Sequence, residues 1–164
     1  MKIEEILCFI YPKIYVLDNL LSLQDGESPP IINNNKKMMK DSGTIFLIDN
    51  GFELLLYILE NVEDKILYDL FETNNFKQIY MEKNKIENFE NVESISEYKN
   101  KILQFVDYIR GEKSVIQELK IIFEGINDER GNIINSILIE DDLNRQYNYS
   151  YDKFYNKIIF GLDK

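Results

Sequence analysis

The 164-residue chain has no histidine, no tryptophan and a single cysteine, Cys8. Without histidine there is no Ser–His or Cys–His dyad and no Cys₂His₂ zinc site. One cysteine cannot close an internal disulfide, which suits a reducing compartment. The seven glycines form neither a P-loop nor a Gly-x-Gly-x-x-Gly turn, so no phosphate cradle is expected. Positive charge is also scarce. Nineteen Lys and Arg face 29 Asp and Glu, giving a net charge of −10, which opposes nucleic-acid binding and attraction to an anionic bilayer. Long apolar runs are missing too. Leu54–Leu59 falls far short of the roughly 20 residues of a membrane span, and Ile6–Tyr11 is too short for a secretory leader, so no direct membrane insertion is expected.

What remains is a soluble globular composition, 45% hydrophobic and 29% charged, of single-domain length. Residues 2–9 read as a short helix ending at Tyr11-Pro12, and Lys13–Asp18 as a strand. Ser22–Ser42 holds Asp25-Gly26, Pro29-Pro30 and Asn33-Asn34-Asn35, so it reads as a long loop. Asp49-Asn50-Gly51 between Thr44–Ile48 and Glu53–Leu59 predicts a hairpin, with Asn50 and Gly51 both suited to positive φ. The second strand is apolar on both faces and should be central. Helices are expected over Glu63–Phe71, Ser94–Arg110 and Ser150–Phe160. In the second of these, Ile95, Tyr98, Ile102, Phe105, Val106 and Ile109 form one stripe, Ser94 with Glu97 forms a capping box, and Gly111 is the stop. Leu119–Glu124 and Ser136–Glu140 read as two more strands. Strands alternating with helices imply a layered α/β domain.

Candidate chemistry is sparse. Glu140-Asp141-Asp142 reads as a solvated strand end rather than a catalytic carboxylate pair. Asn127–Gly131 fails as an EF-hand, because Gly131 at the sixth position would put Ile126 first and Ile137 twelfth, neither with a side-chain oxygen. Ser96-x-x-Lys99 and Ser150-x-x-Lys153 lack the companion motifs of serine acyl-enzymes, and Ser150 reads as a helix cap. The sequon Asn148-Tyr149-Ser150 would need a secretory route for which no signal is seen. Lys36, Lys37 and Lys40 make a small basic knot, weak evidence for a phosphate partner in so acidic a chain. No enzymatic site emerges.

Taken in order, Ile10-Tyr11-Pro12-Lys13-Ile14-Tyr15, Ser28-Pro29-Pro30 and Gly43-Thr-Ile-Phe-Leu-Ile-Asp49-Asn50-Gly51 resemble the C-terminal gelsolin-like domain of the cargo-adaptor subunit of coat protein complex II (COPII). The likeness continues through Leu70-Phe71, Phe76–Ile79, the helix at 95–109 and Ile121-Ile122. It closes with Leu138-Ile-Glu140-Asp141 and Ser150-Tyr151-Asp152-Lys153-Phe154. Leu56-Tyr57-Ile58-Leu59 stands where the family has Leu-Trp-Val-Gly, so the turn after this strand is expected to differ.

The resemblance implies a mixed sheet of about five strands between helices over residues 11–164, with residues 1–10 the remnant of a preceding helical domain. It implies a non-catalytic piece of the inner coat, on the cytoplasmic face of the endoplasmic reticulum and on vesicles bound for the Golgi. Its partners would be the other domains of the parent subunit, the sister inner-coat subunit and, through it, a Sar-type GTPase. No cofactor is implied here, zinc belonging to a finger elsewhere in the parent. The gelsolin-like fold also raises actin binding under calcium control. In calcium-binding gelsolin domains an Asp follows the glycine, whereas here Thr44 follows Gly43 and offers no anionic oxygen, so no such calcium site is expected.

Overall fold

A computed structural model describes residues 3, 11–24, 26–34, 36–92, 95–126, 134–135 and 137–138. Among the described residues five strands form one sheet: β1 (Lys13–Val16), β2 (Ile31–Ile32), β3 (Ile45–Asp49), β4 (Glu53–Ile58) and β5 (Glu118–Phe123), in the order β2-β1-β3-β4-β5. Every pairing is antiparallel except β4 with β5, where Leu54 faces Leu119 and Leu56 faces Ile121. A parallel pair needs a crossover. Here the crossover carries α2 (Asp64–Phe71), α3 (Phe76–Met81), α4 (Lys83–Glu87) and α5 (Glu97–Gly111). A further helix, α1 (Lys36–Ser42), precedes β3.

Successive side chains of a strand point to opposite faces, and both faces are apolar here. Leu17, Ile45, Leu47, Leu54, Leu56, Ile58, Ile121 and Phe123 meet Leu67, Leu70 and Phe71 of α2 and Tyr98, Ile102, Val106 and Ile109 of α5. Rings brace this layer: Phe71 lies 5.7 Å from Phe123 and 5.5 Å from Phe89, and Tyr15 meets Phe105 edge-on at 5.1 Å. On the other face Ile14, Phe46, Ile48, Leu55, Tyr57, Leu59 and Ile122 pack with Met39 of α1 and with Ile134 and Leu138. The expected central strand is therefore central, and helices flank the sheet on both sides. The expected α/β architecture with about five strands holds.

Several local expectations fail for identifiable reasons. The loop expected over Ser22–Ser42 contains β2 and α1. Ile31 and Ile32 pair with Tyr15 and Ile14, and Met39, the second of two methionines in a lysine-rich stretch, is buried and anchors the helix. The cap of α5 is Ser96 rather than Ser94: the Ser96 hydroxyl accepts from Lys99 N, and Ile95, expected on the buried stripe, is fully exposed before the helix begins. Ser94 itself lies outside the described residues. Gly111 sits in the last turn of α5 without positive φ, and Glu112 N closes the helix on the Ile109 and Arg110 carbonyls. The strand expected at Ser136–Glu140 is contradicted where it is described, because Ile137 is helical and Leu138 N donates to Ile134 O at 2.9 Å. Among the described residues the fifth strand is β2 instead. Leu59 needs no glycine-like backbone: it has no positive φ, it is buried, and its N–H donates to Thr44 O at 2.9 Å. The helices expected over residues 2–9 (Ile3 apart) and Ser150–Phe160 lie outside the described residues.

Candidate functional site

Of the residues singled out in the sequence, Asp49, Asn50 and Gly51 lie at one end of β3 and Gly43 at the other. Lys13 pairs with Asp49, so Tyr11 and Pro12 lie at the same end of the sheet as Asn50 and Gly51. Asp49 is 1% exposed, and a buried carboxylate must be paired and hydrogen-bonded to be tolerated. Its Oδ1 accepts from Gly51 N and from Gln117 Nε2, each at 2.8 Å, and its Oδ2 lies 2.9 Å from Lys113 Nζ. Asn50 Oδ1 accepts from Phe52 N at 3.0 Å and Glu53 N at 2.8 Å, shaping the turn from within. Gly51 takes φ +88°, which an L side chain resists, while Asn50 does not have positive φ. The hairpin forms where expected, but only Gly51 of the Asn-Gly pair takes positive φ, and Asp49 pairs with Leu54 across the bend.

This cluster continues into α5. Arg110 Nε donates to Gln117 O at 2.8 Å, and its guanidinium grips Glu90 through two bonds at 2.5 and 3.2 Å. The start of β5 is thus held from both sides, by Asp49 and by Arg110. The parallel strands β4 and β5 are themselves tied by the ion pair of Lys120 with Glu53.

At the opposite end of β3, the Asp18 carboxylate accepts from Thr44 N at 2.8 Å, Thr44 Oγ1 at 2.7 Å and Ile45 N at 3.1 Å. A Cβ on Gly43 would lie 2.8 Å from Val16 Cγ1 and closer still to the Asp18 carboxylate. Gly43 is therefore a packing requirement, and Thr44 commits its hydroxyl to Asp18. Tyr98 reaches across the core to donate to Leu17 O at 3.0 Å. Burial, reinforced by the Asp18 and Asp69 charges, pushes its phenol well above the ordinary range. Burial also pushes Tyr57 up to about 12, with the Glu124 charge adding to it. Lys99 is buried, donates to Val92 O at 3.2 Å and lies 4.6 Å from the Phe89 ring centre; burial lowers its pKa against the opposing pull of Glu72.

Of the singled-out residues, Asp49, Asn50 and Gly51 form one cluster, beside Tyr11 and Pro12. Gly43 stands at the other end of the strand, and Leu70 and Phe71 are core. Glu140, Asp141, Ser150, Tyr151 and Phe154 lie outside the described residues. Sequence reasoning missed Asp18, Lys113 and Gln117. The available signal was indirect: an Asp closing an all-apolar strand requires a cation and donors, but pattern alone does not say which of the chain's lysines supplies the charge. Among the described residues, no group of three His, Cys, Asp or Glu could hold a metal ion, and no helix is long and apolar enough to cross a membrane.

These polar groups are engaged in holding strands and turns, which defines a sheet-centred α/β domain whose polar residues chiefly serve its own architecture. Compared with known proteins, the chain is 26% identical over 153 residues to the protein transport protein SEC24 of Debaryomyces hansenii, covering 79% of this chain. It is 23% identical to human Sec24C over 86% of its length and 28% identical to SEC24 of Saccharomyces cerevisiae over 69%. Its fold matches human COPII-coat protein Sec24c with a TM-score of 0.71 at 18% identity, covering all of this chain and 20% of that one. No family model matches. The chain is thus similar in sequence to Sec24 proteins, in line with its motifs, and it shares the fold of a part of Sec24c. It spans only 16% of the D. hansenii protein and 12% of human Sec24C.

Proposed function

We propose that this chain is a non-catalytic, interaction-forming domain of a COPII inner-coat cargo adaptor, working in transport from the endoplasmic reticulum to the Golgi. The observation that carries this reading is sequence similarity to Sec24 proteins over 69–86% of the chain, together with a fold match along its whole length. The engagement of Asp18, Asp49 and Asn50 in backbone and side-chain bonds supports a structural rather than catalytic use of its polar residues. In this reading residues 11–164 form a gelsolin-like unit and residues 1–10 belong to a preceding helical region. The unit itself needs no cofactor, zinc being held elsewhere in the adaptor. Its partners are the adaptor's other domains, the sister inner-coat subunit and, through that subunit, a Sar-type GTPase. It acts in the cytoplasm, on the coat at the endoplasmic reticulum membrane.

The test is an exchange of the matched segment of S. cerevisiae SEC24 for this chain. Growth and export from the endoplasmic reticulum should continue. Loss of export, with the hybrid protein folded and at normal abundance, would overturn the proposal. Actin co-sedimentation, with and without calcium, should leave the chain in the supernatant; calcium-dependent pelleting would favour a gelsolin-type actin module.

A further inference from the structure

We draw no further inference here: the strongest candidate, the exposed apolar patch that Tyr11, Phe52, Val115 and Ile116 place at one end of the sheet, has nothing in the structure to show what covers it.

Discussion

Lys113 and Asp49 form an ion pair at 2.9 Å in which the carboxylate is 1% exposed and the lysine side chain 10%. The pair fastens the segment after α5 to the end of β3, two strands away from β5 across β4. Removing one member of such a pair leaves the other charge buried without compensation. Lys113→Ala should therefore cost about 3–5 kcal/mol of stability. The urea midpoint measures it. The double variant Asp49→Asn, Lys113→Met should recover a large part of that loss, because neither group then carries a buried charge.

At the other end of β3 the tolerance is steric. Gly43→Ala places a methyl against Val16 Cγ1 and the Asp18 carboxylate, and that carboxylate is held by three donors. Overpacking of this kind costs about 1–3 kcal/mol. Thermal unfolding should show the loss, and Asp18→Ala should be destabilising as well, since it leaves Thr44 N and Ile45 N without their acceptor.

Ser96 caps α5 through Lys99 N. Ser96→Ala should cost ~1 kcal/mol. A denaturation midpoint unchanged by Ser96→Ala would contradict the helix start.

Tyr57 titrates near 12 in the folded protein against 10.0 for an unperturbed phenol. The unfolded chain thus loses this proton first as pH rises. The stabilisation from keeping the phenol neutral is complete below pH 10 and disappears between pH 10 and about 12. Urea midpoints should fall across that window, and Tyr57→Phe should flatten the decline. Absorbance of phenolate near the folded midpoint gives an independent reading.

The central strand offers the largest cavity effect. Leu56 is fully buried between β3 and β5 neighbours. Leu56→Ala should cost about 2–5 kcal/mol, read by equilibrium unfolding.

Much of this architecture was legible in the sequence where a pattern carried its own physics. The two-sided apolar run Leu54–Leu59 announced a covered central strand, and the three-and-four spacing from Tyr98 to Ile109 announced α5. The failures fall where a local signal competed with tertiary contacts. Proline and asparagine around Ile31-Ile32 read as loop, yet two residues sufficed to pair with β1 once Tyr15 and Ile14 stood beside them. Two serines precede α5, and Ser94 completed the better-known capping box, whereas the Ser96 side chain meets Lys99 N. The Asp49 cluster was only half visible. Its turn residues adjoin in sequence, but Lys113 and Gln117 reach it from the far side of the crossover, a distance along the chain that periodicity does not span.

That same crossover governs the order in which the chain can complete itself. β1 to β4 are all synthesised by Ile58, and their mutual pairings are available at once. β5 follows only after α2, α3, α4 and α5, so the open edge of β4 must wait for its parallel partner. Long-range parallel pairing is slow, and an unpaired apolar edge is prone to capture by another chain. During synthesis the domain should therefore pass through a stage in which its most hydrophobic strand is shielded by helices or by a chaperone before the sheet closes.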